Sequence, residues 1–304
     1  MAVKSKLSTW LVSLRRKRSA GRVSRTEPHF NREALEADLS RMNIRRGDTL
    51  FVHSSMRSIG FVEGGAATVI GALQEAVGPN GTVVVPTFYM PGGTIVATCA
   101  LTDYVFDART HGTHMGRIPE EFLRTSGIFR SVHPTHSVSA WGRHARFLTE
   151  SHHKAPSIFG LGSPWQRLLE LDSAKIFGLG VSMGPITFYH VLEDSMGSAF
   201  PLNIWEERVC HLPCVVEGGG TVRVPVRPFL SEFTERRIDQ KSRQDLREYF
   251  RKEFDRAGLR TNGRVGNAES WFIEARAFFL HLKALAEQRI TIYSTADELV
   301  LKHQ

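Results

Sequence analysis

Thr187, His190 and Glu193 place a hydroxyl, an imidazole and a carboxylate at three-residue spacing. If the segment from about Ile186 is helical, about 100° per residue puts all three on one face, spread over roughly 120° with the imidazole in the middle. That order suits a relay in which a carboxylate orients a base and the base serves a hydroxyl or a substrate proton. The ordinary alternative is a hydrogen-bonded structural histidine with chance polar neighbours. Position favours chemistry. The group follows a short apolar strand, Lys175 to Val181, and open α/β sheets bind ligands beyond the carboxyl ends of their strands.

A second stretch has the same placement. The run from His53 to Gly65, which contains Ser54, Ser55, Arg57, Ser58, Ile59, Gly60, Phe61 and Gly64, lies between a strand's end and a helix start. Exposed amides and hydroxyls there suit phosphate oxygens. The run has neither the nucleotide P-loop nor the dinucleotide glycine fingerprint, and a plain glycine-relieved turn is the competing reading.

The elements that position these residues follow from pattern. Asn31 caps a helix carrying Leu35, Leu39 and Met42. Thr49–Val52 and Thr82–Val85 read as buried strands around a helix over Ala66–Val77, a βαβ unit, so part of the sheet is expected to be parallel. Pro91–Gly112 reads as a long loop. Helices are expected from about Ile118, over Arg143–Leu148 and from Ser163 to Leu171, with a strand at Ser137–Trp141. Val209–Val216 and Thr221–Val226 form a hairpin pattern about three glycines. Gln240–Ala257 and Glu269–Gln288 read as helices and Arg289–Tyr293 as a last strand. One domain is expected over 27–304, with a C-terminal elaboration from about 194.

The formal charge of +8 belongs to one end. Residues 1–26 hold 8 of the 39 Lys and Arg and no acid, so the remaining 31 balance 31 Asp and Glu. A basic tail is therefore not a nucleic-acid-binding surface over the whole molecule, although the tail can contact an anionic membrane surface through Leu7, Trp10, Leu11 and Leu14. No run reaches the length of a membrane span. Cys99, Cys210 and Cys214 are too few for a disulfide framework and point to a reducing, cytoplasmic setting. Cys210, His211 and Cys214 are poorly spaced for zinc, so no metal is expected.

Several blocks carry a resemblance. Gly47–Ser55, Ile59–Gly65, Gly81–Thr87, Met115–Glu120, Arg130–Ser137, Phe159–Pro164 and Thr187–Glu193 stand in order over roughly the first two-thirds of the chain. In these the chain resembles the aminoglycoside 3-N-acetyltransferase (antibiotic acetyltransferase) family. The resemblance implies a three-layer α/β/α sandwich with a mixed, partly parallel sheet, to which the pattern above adds a C-terminal hairpin and helices. It also implies acetyl-CoA or another acyl-CoA as donor and a small-molecule amine on an aminoglycoside or related amino sugar as acceptor. It assigns His190, Glu193 and Thr187 as the active group and lays coenzyme A along Ser54–Gly65, with Thr87, Arg130, His133 and Ser137 lining the cleft. Two departures stand out. The family usually has Asn before the active Thr, where this chain has Ile186, and the stretch from Asp194 onward follows the family pattern poorly.

The residue types suggest direct attack, with His190 deprotonating the amine, Glu193 holding the imidazole and Thr187 donating to the thioester oxyanion. A nucleotide-linked amino sugar is the alternative acceptor. From other classes, the basic tail suggests an anionic-surface or nucleic-acid binder, and His111, His114, His133 and His136 suggest a metal-dependent hydrolase.

Overall fold

The computed structural model describes residues 29–300, so the basic segment 1–26 and any membrane contact it makes lie outside the described residues. Twelve strands occur among the described residues. They are β1 (His29–Phe30), β2 (Thr49–Ser54), β3 (Phe61–Val62), β4 (Thr82–Pro86), β5 (Phe106–Asp107), β6 (Ile128–Arg130), β7 (Val138–Gly142), β8 (Ala174–Leu179), β9 (Cys210–Val215), β10 (Thr221–Val226), β11 (Thr261–Val265) and β12 (Ala268–Glu274).

Seven of these make one mixed sheet in the order β11-β12-β8-β2-β4-β7-β6. Its centre is parallel, β2 pairing in parallel with both β4 and β8, and antiparallel pairs flank it on each side. Strand alternation divides the apolar residues between two faces. Leu50, Val52, Val83, Val85, Phe177 and Leu179 pack with Leu35, Leu39, Val69, Leu73 and Phe122 from the Arg32–Arg41, Ala66–Val77 and Arg117–Phe122 helices. Phe51, Val84, Ile176, Trp271 and Ile273 face Leu148, Trp165, Phe250, Phe254 and Phe278 on the other side. Helices therefore cover both faces, giving the expected α/β/α layering.

The Ala66–Val77 helix has the expected bounds, and β9 and β10 form the expected antiparallel hairpin. The C-terminal part differs. Glu269–Gln288 is not one helix. Its first part is β12, which runs antiparallel to β8 in the main sheet, and the helix covers Ala275–Glu287. The run Trp271-Phe272-Ile273 contributes to both faces of the sheet, a burial that strand alternation supplies. Arg289–Tyr293 is not a strand. Arg289 has φ +64°, and the chain tightens into a turn in which Ser294 Oγ accepts from the Thr291 amide at 3.0 Å. Pro91–Gly112 is more ordered than a loop, with a helix at Ile95–Cys99 and β5 pairing in parallel with β9.

Candidate active site

Topology gathers the candidates at one edge. Parallel pairing puts the carboxyl ends of β2, β4 and β8 together, at Ser54, Pro86 and Leu179. Because β7 is antiparallel to β4, its first residue, Val138, pairs with Pro86, and Arg130 at the end of β6 pairs with Ser139. Ser54–Gly65, Thr87, Arg130–Ser137 and Thr187–Glu193 thus leave the sheet at the same edge.

The Thr187–Glu193 segment is helical in two parts, a 3-10 turn over Thr187–His190 and an α-helix over Val191–Met196. Residues three apart eclipse in a 3-10 turn, so Thr187 and His190 still share a face. His190 Nδ1 lies 2.9 and 3.1 Å from the two carboxylate oxygens of Glu193. The imidazole side chain is 9% exposed and the carboxylate 1%. A carboxylate can only accept, so Nδ1 carries the proton and Nε2 is the nitrogen able to take another. Tyr293, 100 residues on, donates its hydroxyl to Glu193 Oε1 at 2.7 Å. Thr187 is held separately: its Oγ1 accepts from Trp165 Nε1 at 3.1 Å. Among the described residues the expected three-member relay is thus two arrangements, Trp165–Thr187 and Tyr293–Glu193–His190, side by side on one segment.

Aromatic rings close round the imidazole, Phe159 at 5.0 Å and Phe229 at 5.2 Å between centroids. Half-buried Trp205 stacks on Phe229 at 4.4 Å. Asp194 accepts from the Phe159 amide at 3.0 Å, and burial, ahead of the neighbouring Glu193, pushes its carboxyl up to about 6. Trp205, Phe229 and Tyr293 all lie beyond Asp194, in the stretch that follows the family pattern poorly in sequence.

The candidate donor side is mixed. Ser55 caps a short Met56–Ile59 helix, its Oγ accepting from the Ser58 amide and from the Ser58 hydroxyl at 2.8 Å. Gly180, at φ +68°, brings the end of β8 against this turn: a Cβ there would stand 2.6 Å from Ser58 Cβ. Arg57 is exposed, while Ser54, Gly60, Phe61 and Gly65 are partly buried and Gly64 is exposed. Ile59 differs from its expected role. Its side chain is fully buried in the core and its carbonyl accepts from Asn267, so it supports the turn from beneath. The buried Ser54 Oγ, His53 Nε2 and His133 Nε2 have no protein partner.

Arg130, Thr87 and Ser137 form a clamp. The guanidinium donates to Ser137 Oγ (3.1 Å), Thr87 O (2.7 Å), Gly112 O (2.8 Å), Ala108 O (3.4 Å) and His111 O. These acceptors engage all three of its nitrogens, and burial lowers its pKa to about 10. Arg130 therefore anchors the 108–112 segment to the sheet. His133 Nδ1 accepts the His136 amide at 3.0 Å, and its ring stacks 4.3 Å from His152. Burial and its histidine neighbours hold His133 and His136 well below the ordinary histidine range. Among the described residues no three His, Cys, Asp or Glu side chains are grouped to share a metal.

A family model for aminoglycoside 3-N-acetyltransferases matches residues 51–287. The chain belongs to that family. Aminoglycoside N(3)-acetyltransferase III of Salmonella sp is 35% identical over 171 residues, 53% of this chain and 59% of that protein's length. Its namesake in Serratia marcescens is 28% identical over 254 residues, 80% of this chain and 92% of the relative. Among solved structures, AAC-IIIb in a binary complex with CoASH superimposes with a TM-score of 0.73 at 25% identity, covering 88% of this chain and all of that one. Aminoglycoside acetyltransferase AAC(3)-Xa gives 0.72 at 27%, covering 86% and 94%. The acetyltransferase family match begins within β2 and includes the Thr187–Glu193 segment, β12 and the helix that follows it.

Proposed function

We propose that this chain is an N-acetyltransferase that moves an acetyl group from acetyl-CoA to an amine of an aminoglycoside or related amino sugar. The observation that carries the reading is the buried His190–Glu193 pair at the carboxyl edge of the parallel strands, in a member of this family. An acceptor ammonium must lose a proton before it can attack. His190 Nε2 takes that proton, and the Glu193 carboxylate stabilises the imidazolium formed at Nδ1. The lone pair freed on nitrogen attacks the thioester carbonyl directly. The tetrahedral intermediate then expels coenzyme A as thiolate, breaking the C–S bond. Of the two protons the nitrogen gives up, one ends on that sulfur and the other is released to solvent. Thr187, oriented by Trp165, donates its hydroxyl proton as a hydrogen bond to the developing oxyanion. Direct attack is favoured over a Thr acyl-enzyme because the Thr187 hydroxyl is bonded to Trp165, and the base is oriented by Glu193 through its other nitrogen.

On the donor side, we place coenzyme A along Ser54–Gly65. In support, the Ser55 and Ser58 hydroxyls and the unpartnered Ser54 Oγ lie at this edge, as does the start of the Ala66–Val77 helix, whose first amides suit phosphate. The aromatic wall of Trp205 and Phe229 flanks the imidazole on the acceptor side. Calorimetry of the full chain with coenzyme A and acetyl-CoA, followed by initial rates over aminoglycosides and nucleotide-linked amino sugars, tests the reading. No binding of either ligand at millimolar concentration would count decisively against it.

A further inference from the structure

Glu193 has two partners, and only one of them comes from the motif. We propose that Tyr293 is a positioning residue for the acetyl-transfer base: its hydroxyl, through Glu193, sets the orientation of His190 and the strength of the carboxylate felt at Nδ1. The inference rests on the reading of His190 and Glu193 given above.

The geometry is specific. Tyr293 Oη lies 2.7 Å from Glu193 Oε1, and the imidazole Nδ1 is 2.9 Å from Oε2. Both Tyr293 and Glu193 are buried, at 0% and 2% exposure. Glu193 also borders a small cavity lined by Leu192, Phe250, Leu282 and Ile290 together with Tyr189, whose buried hydroxyl has no hydrogen-bond partner. In such surroundings one donated hydrogen bond to a carboxylate has large leverage. The phenol is also held in place. Tyr293 O accepts from Arg236 Nε at 3.1 Å, the preceding carbonyl of Ile292 accepts from the Ile238 amide at 3.0 Å, and the ring meets Phe233 edge-on at 5.5 Å. Burial and then Glu193 raise the phenol well above its ordinary range, so it remains a donor throughout the working pH range.

Other charges face this pair. Asp194 lies on the same helix, His136 faces His190 from the Arg130–Ser137 segment, and Arg237 with Asp239 faces Glu193 and His190 from the segment after the Ser231–Arg236 helix. Arg237 and Asp239 are paired with each other at 2.7 Å, so they largely cancel. The tyrosine hydroxyl is the neutral partner in direct contact with the carboxylate.

The sign follows from hydrogen bonding. A donor to Oε1 disperses the carboxylate charge and stabilises the carboxylate most when the imidazole is neutral. Tyr293→Phe keeps the ring against Phe233 and removes only the hydroxyl, so imidazolium becomes easier to form. The acidic limb of the kcat/KM pH profile is expected to move up by roughly half a unit or more. Turnover at pH 7 is expected to fall several-fold, with KM for acetyl-CoA within about twofold of wild type. Tyr293→Met, which also lacks the hydroxyl, is expected to move the limb the same way. An unmoved limb in whichever of the two folds overturns the proposal. His190→Ala separates this failure from failure of the parent reading. An active His190→Ala enzyme sinks the base assignment itself. An inactive one beside an unmoved Tyr293→Phe profile sinks only the role of Tyr293.

Discussion

Two buried acid–base pairs stand at opposite ends of the central strands. At the amino edge Lys175 Nζ meets Asp48 Oδ2 at 2.5 Å, with side chains 8% and 9% exposed. At the carboxyl edge His190 meets Glu193 at 2.9 Å, 9% and 1% exposed. Burial is similar and the consequences differ. Asp48 also accepts the Arg45 amide at 2.7 Å, and Lys175 sits over the Phe272 ring and 3.8 Å from Glu274. An ammonium so enclosed has a permanent role in joining β2 to β8. The imidazole keeps Nε2 free of the carboxylate, and its partner is fixed from behind by a tyrosine. One pair holds charge in place, and in the proposed mechanism the other passes it.

Breaking each pair sharpens that contrast. Lys175→Met leaves Asp48 buried without its cation and is expected to destabilise the fold by about 3–5 kcal/mol, with turnover per folded molecule unchanged. Urea unfolding and active-site-normalised rates measure both. An equal loss of turnover would mean that the amino edge also serves the chemistry.

His190→Ala is expected to do the reverse, cutting turnover by on the order of 10²-fold or more while coenzyme A still binds. Near wild-type initial rates at neutral pH would remove His190 from the base role. Glu193→Gln keeps the shape and loses the charge. Turnover is expected to drop about tenfold, with the acidic limb moving to lower pH because imidazolium loses its counter-ion. That direction is opposite to the one expected for Tyr293→Phe, so the pair of profiles tests the orientation argument from both sides.

The smallest effect concerns Asp194. Its carboxyl is raised to about 6 by burial, above its unfolded value of about 3.9. The folded state therefore binds this proton more tightly. The associated stability is present below the unfolded value and is lost as pH rises through about 6. Asp194→Asn is expected to flatten the stability curve over that window by about 2 kcal/mol, read from urea midpoints at pH 4 and pH 7. An unchanged slope would assign the pH dependence elsewhere.

The central sheet was legible because its strands announce themselves locally. Thr49–Val52 and Thr82–Val85 are short β-branched or apolar runs bounded by turn residues, and the helix between them forces the parallel crossover. The His190–Glu193 contact was legible for a similar reason, since three-residue spacing on one helix is enough to specify it. Tyr293 was not legible. A hundred residues separate it from Glu193, and its turn is defined by tertiary hydrogen bonds to Arg236 and Ile238. β12 was hidden differently, because Ala268–Glu274 runs straight into a long amphipathic helix. Its pairing with β8 on one side and β11 on the other holds the first part extended. Arg130 was read as a cleft-lining ligand because sequence shows a cation but not the carbonyls that occupy it.

The Arg130 clamp bears on how such an enzyme can change over generations. On the 108–112 segment the guanidinium grips main-chain oxygens of Ala108, His111 and Gly112. Every residue type supplies that oxygen, so the Arg130 contacts at 108 and 111 do not depend on which side chains stand there, although the His111 ring also packs against Phe106 at 5.7 Å. The chemistry presented at the rim is thereby uncoupled from the means of holding the rim in place. Side chains on this segment can change over generations while one arginine keeps its grip on the main chain.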